Sequence, residues 1–393
     1  LSPLRVALLT YSVKPRGGVV HAIAVAEALA ERGHHAELFA VGRPGERFFR
    51  APAVPATVIE HVPPEAPFDA RIEALIATYA EGLRRALAGR GFDVVHAQDC
   101  ISANAALAVR DEGAVPHVLR TVHHVDDFTS PSLVACQERS IVDPDGVVCV
   151  SEPWVRRLRD EFGIEAGLVR NGVDAARHRP PRDGRERSAL REGLGIGDRL
   201  ALLAVGGIEP RKGSLTLLDA FAMLRSRLPE RDPLLLLAGG ATLFDYRDEV
   251  ERFAARRAAL GLGDDAVRVL GPVADAELRR LYRAADVFAF PSSKEGFGLV
   301  VLEALASGLP VVASAIEVLQ TFLVDGESAL LTPCGDAERL AGALARAACD
   351  GVLRAHLRRG GDAVVARHGW DAAAASHEVA YADFLAARMA VAG

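Results

Sequence analysis

A chain of 393 residues exceeds one ordinary core and fits two domains of about 150–200 residues each. Half of it is hydrophobic and a quarter charged, and its net charge of -6 lacks the basic footprint of a nucleic-acid binder. Cys100, Cys136, Cys149, Cys334 and Cys349 stand far apart with no Cys-x-x-Cys pair, which argues against a zinc knuckle or disulfide framework and points to reduced thiols in a cytoplasmic protein.

The chain enters directly on a strand-like run, Val6–Thr10, without the charged and apolar regions of a secretory leader. Further strands are expected at Ala36–Val41, Val94–Ala97, His117–Val122 and Val147–Val150. Val19–Arg32 carries apolar residues at helical spacing and stops at Gly33. The proline-rich stretch Gly42–Ala70 reads as a long surface loop, and 71–90 as an amphipathic, arginine-bearing helix. That helix offers either a solvated face or a contact for anionic lipid. No apolar run approaches the length of about 18 residues that a spanning helix needs.

Arg, Pro, Gly and Asp dominate from Ala175 to Arg187, so 175–198 reads as a linker after a first domain of residues 1–174. A second series follows over 199–369. Its strands are expected at Leu200–Val205, Leu234–Ala238, Val267–Leu270, Val287–Phe290 and Val311–Ala313. The helices between them are Leu215–Leu228, Asp248–Leu260, Ala276–Ala284 and Leu299–Ala306. A last helix over 370–393 is expected to pack back on the first domain. Strands alternating with helices predict parallel sheets wrapped on both faces, and two such halves predict a bilobed protein with a ligand cleft at the carboxyl ends of the strands.

Five strand ends carry residues suited to chemistry or to close ligand approach. After Phe290 comes Pro-Ser-Ser-Lys-Glu295-Gly-Phe-Gly298, then a helix bearing Glu303. The loop and helix start present unpaired N–H groups and a positive dipole end to an anion, and two glutamates with seven residues between them can grip different parts of one ligand. Gly206-Gly-Ile-Glu-Pro-Arg211-Lys212-Gly213 supplies fixed positive charge after another strand. Gly17-Gly18 allows close backbone approach, although the spacing is not a dinucleotide fingerprint. Thr121-Val-His123-His124 and His96-Ala-Gln-Asp99 end two more strands.

The segment Glu295 to Glu303 resembles the Glu-x7-Glu motif of the retaining family-4 glycosyltransferases, and Gly17-Gly18, Lys212-Gly213 and Asn171-Gly-Val-Asp174 resemble further motifs of that family in the same order along nearly the whole chain. The resemblance implies a GT-B fold, two Rossmann-like α/β/α domains facing each other across a cleft, and transfer of a sugar from a nucleotide-diphosphate donor. It implies that Glu303 holds the donor ribose and Glu295 the transferred sugar. Gly296, Phe297, Gly298 and Leu299 would offer amides to sugar and diphosphate, Lys212 and Arg211 would hold phosphate, and His123 would lie beneath the sugar. UDP is the favoured nucleotide, with no metal or other cofactor. The acceptor is a carbohydrate, lipid or small molecule, with Asp99, His124 and Asp127 as its candidate contacts. Base selectivity is expected around Gly239–Tyr246 and Pro272. Gly207 stands where the family often has a phosphate-binding arginine. Asp143-Pro-Asp145 has the form of a metal motif from the other main glycosyltransferase fold, but its proline and following glycine read as a turn. Phosphorylase- or epimerase-like enzymes of this fold, and a non-catalytic binding protein, are the alternative readings.

Overall fold

A computed structural model describes residues 2–240 and 246–392. The described residues fall into two units, 1–172 with 370–393, and 173–369.

The first unit holds strands β1 (Arg5–Thr10), β2 (His35–Gly42), β3 (Ala56–Glu60), β4 (Val94–Ala97), β5 (Val118–Val122), β6 (Gly146–Cys149) and β7 (Gly167–Leu168). All run parallel in the order β3-β2-β1-β4-β5-β6-β7. Helices α1 (Gly17–Glu31), α2 (Phe68–Leu87), α3 (Cys100–Asp111), α4 (Pro131–Val142) and α5 (Glu152–Phe162) accompany them. Successive strand residues face opposite sides, so β1 feeds two cores. Val6 and Leu8 join Ile23, Leu29 and Leu38 on one side; Ala7 and Leu9 join Phe39, Leu83 and Leu107 on the other. This double burial explains why the strands read as continuous apolar runs.

The second unit opens with α6 (Gly184–Gly193) and continues as β8 (Ala201–Val205), α7 (Ser214–Arg227), β9 (Leu234–Ala238), α8 (Arg247–Ala259), β10 (Val267–Gly271), α9 (Asp275–Ala284), β11 (Val287–Phe290), α10 (Leu299–Ala306), β12 (Val311–Ser314), α11 (Glu317–Gln320), β13 (Leu330–Thr332), α12 (Ala337–Cys349) and α13 (Gly351–Ala366). Its parallel sheet runs β10-β9-β8-β11-β12-β13 over a core that includes Leu202, Phe221, Leu235 and Leu344. The chain then returns to the first unit as α14 (Trp370–Ala392), which packs on α1. In each sheet the strand order reverses once, between β1 and β4 and between β8 and β11. Crevices outside the strand ends open at such reversals.

Two expectations need correction. The stretch 42–70 is not all loop: β3 pairs with β2 along its length, and Phe48 and Val54 are buried. Pro55 and Pro63 bracket Thr57-Val-Ile59, which fits a short edge strand, where missing N–H groups are tolerated. The stretch 175–198 is not a bare linker either, since it belongs to the second unit. Asp183 caps α6 through the Glu186 amide at 2.9 Å. Arg187 and Arg191 both reach Asp286, at 2.7 and 3.1 Å, and that carboxylate also accepts the Ala201 N–H that starts β8, at 2.8 Å. The arginines that suggest a solvated linker therefore dock the segment.

Gly82 of α2 tests the β3 placement, because a Cβ there would lie 2.4 Å from Ile59 Cγ2. Helix propensity alone favours Gly82→Ala by about 1 kcal/mol. The contact with β3 predicts instead a loss of about 1–3 kcal/mol in urea unfolding, partly recovered by adding Ile59→Ala.

Candidate active site

In the second unit the loops after β8 and β11 meet at the strand-order reversal. The first runs from Gly206 through a single tight turn, Pro210–Lys212, to Gly213, where α7 begins. Gly213 has φ 66, and a Cβ on it would lie 2.2 Å from Pro291 O, so only glycine lets the two loops approach. The Ser293 amide donates to Arg211 O at 2.8 Å. Lys212 Nζ then contacts Glu295 Oε1 at 2.7 Å, and Arg211 Nη1 contacts Glu295 Oε2 at 3.3 Å. Arg211 Nε also pairs with the buried Glu209 at 3.1 Å. Burial opposes charge on Glu295, yet Lys212 and Arg211 outweigh it and hold its carboxyl below the ordinary range, so it is ionised at neutral pH.

Gly298, at φ 111, starts α10 without a side-chain cap, which leaves the first amides of that helix to an incoming acceptor. Gly296, Phe297 and Gly298 are buried and Leu299 half-buried. Phe297 stacks on Phe322, 5.1 Å between centroids, and this fixes the loop against the body of the unit. Glu303, on the same helix, accepts a hydrogen bond from Tyr282 Oη at 2.9 Å.

Gly207 has a structural explanation. A Cβ there would lie 2.6 Å from Gly240 O, and one on Gly239 would lie 2.1 Å from Gly206 O. The loops after β8 and β9 touch backbone to backbone, which closes position 207 to any side chain, arginine included. Of the expected base-selecting stretch, Gly239, Gly240, Tyr246 and Pro272 are described, while 241–245 lie outside the described residues.

In the first unit Gly17 and Gly18 open α1 after β1, and a Cβ on Gly18 would touch the His123 ring at 3.5 Å. His123, past the end of β5, is half-buried with Nε2 3.1 Å from Gln98 Oε1. Behind it stands a group of histidines. The His21 ring meets His123 edge-on at 4.9 Å and His377 at 5.3 Å, and His96 lies 5.7 Å from His377. His21 Nδ1 bonds Asn171 Oδ1 at 2.6 Å, His377 Nδ1 bonds Ala373 O at 2.8 Å, and His96 sits between Tyr381 Oη and Thr121 Oγ1. Burial, reinforced by neighbouring rings and by Arg120, pushes His96 and His123 well below the usual imidazole range. Burial takes His21 to about 3 and His377 to about 4.

Two of the three acceptor-side candidates have partners within the first unit. Both oxygens of Asp99 are engaged by main-chain N–H groups, Ser102 at 2.7 Å and Tyr11 at 2.8 Å. It caps α3 and ties down the loop after β1 rather than offering itself to an acceptor. His124 pairs with Asp126 at 3.2 Å, and Asp127 is exposed on the loop before α4. Asp145 accepts the Val118 N–H at 2.9 Å and pairs with Arg110 and Arg388, the work of a turn residue. On and after α2, Arg84 and Arg85 pair with Glu81, Arg84 also with Glu112, and Arg90 with Glu37. These pairs satisfy most of the charge that would attract anionic lipid. Gln98 lies inside the strand-end run His96-Ala-Gln-Asp99, whereas His21, His178 and Tyr282 belong to no motif that a single sequence marks as special.

The buried histidines set an acid limit. With folded values below the ordinary 6.5, the unfolded chain binds more protons between those values, so stability is complete above about pH 6.5 and falls as pH drops toward about 4 and 3. The loss approaches about 1.4 kcal/mol per pH unit for each such ring. Urea unfolding of the wild type should follow that limb, and His377→Asn, which keeps a donor for Ala373 O, should flatten it. A flat wild-type profile from pH 7 to 5 would contradict this.

The family model for "Glycosyl transferases group 1" matches residues 186–363, and that for "Glycosyltransferase Family 4" matches residues 15–177. The chain is 30% identical to the D-inositol 3-phosphate glycosyltransferase of Saccharomonospora viridis, over 94% of this chain and 91% of that one. It is 32% identical to the enzyme of that name from Acidothermus cellulolyticus, over 98% and 92%. Among solved structures, sucrose-phosphate synthase from Thermosynechococcus elongatus superposes with a TM-score of 0.79 at 25% identity, covering 98% of this chain and all of that one. Anabaena HepE in complex with UDP and glucose superposes at 0.74 and 21% identity, over 96% and 98%. Among the described residues no helix is long and apolar enough to cross a membrane. Together with the two doubly wound sheets, these matches establish that the chain belongs to the group 1, family 4 glycosyltransferases of GT-B fold.

Proposed function

We propose that this enzyme transfers a sugar from a UDP-sugar with retention of anomeric configuration and without a metal ion. The observation that carries the reading is the pairing of Lys212 with Glu295 at 2.7 Å beside the uncapped start of α10. Breaking the bond between sugar C1 and the phosphate oxygen builds negative charge on the diphosphate and cationic character on the sugar. Lys212, Arg211 and the amides from Gly298 onward supply fixed positive charge to the diphosphate, the function that a metal serves in other transferases. Glu295 and His123 are assigned to the transferred sugar, His123 as a neutral hydrogen-bonding ring, and Glu303 to the donor ribose. The acceptor hydroxyl attacks on the face that the diphosphate leaves, and a phosphate oxygen takes its proton.

For the acceptor, the name shared by the relatives makes a phosphorylated cyclitol the first compound to test, in the cytoplasm where nucleotide sugars are made. Removing one fixed charge at a developing oxyanion costs on the order of 10²–10³ in rate. Lys212→Ala should lower kcat by that factor in a UDP-release assay while weakening UDP binding less than about 10-fold, and EDTA should leave wild-type turnover unchanged. Near-wild-type turnover of the variant removes Lys212 from its role.

A further inference from the structure

Glu303 is not held by α10 alone. Tyr282 of α9 is wholly buried, and its hydroxyl donates to Glu303 Oε2 at 2.9 Å. From the other direction comes the segment that follows Asn171-Gly-Val-Asp174. The Asp174 carboxylate accepts the Ala176 and Arg177 amides at 3.0 and 2.9 Å, and the His178 amide bonds Asp174 O at 2.8 Å. Arg177 pairs with Asp275 at the start of α9 at 2.6 Å. This folded turn sets the His178 ring edge-on to Tyr282, with centroids 5.9 Å apart and Nε2 3.9 Å from Glu303 Oε1. His178 is buried, and its Nδ1 is without a hydrogen-bond partner. A neutral ring with Nδ1 bare turns its Nε2–H toward the carboxylate, because the reverse tautomer would strand a buried N–H. Burial also lowers the His178 pKa, against the pull of Glu303 and Asp275 and with that of Arg177.

We propose that Tyr282 and His178 are positioning residues that fix the Glu303 carboxylate, Tyr282 by occupying Oε2 and His178 by limiting the swing of Oε1, and that they thereby set the preference of the donor site for ribose over deoxyribose nucleotides. The inference rests on the assignment of Glu303 to the donor ribose. A carboxylate free to rotate would weaken its bond to a hydroxyl without disturbing the diphosphate contacts. A packing role for the two rings would instead weaken all nucleotides alike.

Calorimetric titration of UDP, 2′-deoxy-UDP and 3′-deoxy-UDP into the full-length protein separates these cases, with GDP or ADP and their deoxy forms used if one of those binds in place of UDP. The wild type should favour the ribonucleotide over at least one deoxy form by about 10-fold, the scale of one hydrogen bond to a charged group, and Glu303→Ala should abolish the preference. Tyr282→Phe and His178→Phe should cut it below about 3-fold while leaving the affinity for the deoxy form nearly unchanged. His178→Gln, which returns an N–H at similar reach, should restore it. Tyr282→Phe deletes a single oxygen and guards against misfolding of the histidine variant. If Glu303→Ala loses the preference but Tyr282→Phe and His178→Phe keep it, the positioning role is wrong and the ribose assignment stands. If Glu303→Ala itself keeps it, or the wild type shows none, the assignment of Glu303 falls and this inference with it.

Discussion

Lys212 and Glu295 belong to loops 83 residues apart in sequence, and their contact is where the second unit turns from scaffold into site. The parallel order that sets β8 beside β11 brings the two loops together at the carboxyl ends of the central strands. Gly213, with no Cβ to strike Pro291 O, then lets them close. Lys212 and Arg211 are balanced by Glu295 and Glu209, so no net charge stands uncompensated in a half-buried place. A diphosphate bound as proposed would compete with Glu295 for the same cations and would find the amides of α10 beside them. Catalytic charge stabilisation of this kind depends on groups already fixed before the reaction begins.

The first unit solves a different problem with neutral groups. His123 is backed by His21, which Asn171 orients, and His21 is backed by His377 from the last helix. Each ring has one nitrogen bonded to an uncharged partner, and burial keeps all of them neutral. A neutral His123 suits the role proposed for it, since it would add no charge near a cationic sugar carbon. The return of α14 to this unit thus matters for more than packing, since it delivers His377 and Tyr381 to the histidines behind His123.

Much of this was legible in the sequence because both sheets are buried on two faces. Apolar runs such as Leu234–Ala238 and Val287–Phe290 cannot be solvated, and glycine-bearing turns follow the strands that end at the sites. Periodicity failed where a different physics ruled. β3 is an edge strand, where prolines are tolerated, and α6 is held by arginines to Asp286 rather than by an apolar stripe. Lys212 and Glu295, which their motifs give separate roles, pair in space, whereas Asp99 looks like a ligand contact in sequence and is a helix cap in space. Position 207 reads as a missing arginine, and only the backbone contact with Gly240 shows why no side chain belongs there. His178 and Tyr282 carry no motif signal, because their importance lies in what they do to Glu303.

The central claim is that Arg211 and Lys212, held by Glu295, recognise the diphosphate of the donor. Its most direct measurement compares the affinity of the preferred nucleoside diphosphate with that of its nucleoside, in EDTA, for the wild type and for Arg211→Ala/Lys212→Ala. The account predicts that the wild type binds the diphosphate about 100-fold more tightly than the nucleoside, the scale of two charge-assisted hydrogen bonds, and that the double variant erases most of this difference while binding the nucleoside as before. A difference that survives in the double variant would mean that the diphosphate is held elsewhere, and the account of the site would be wrong.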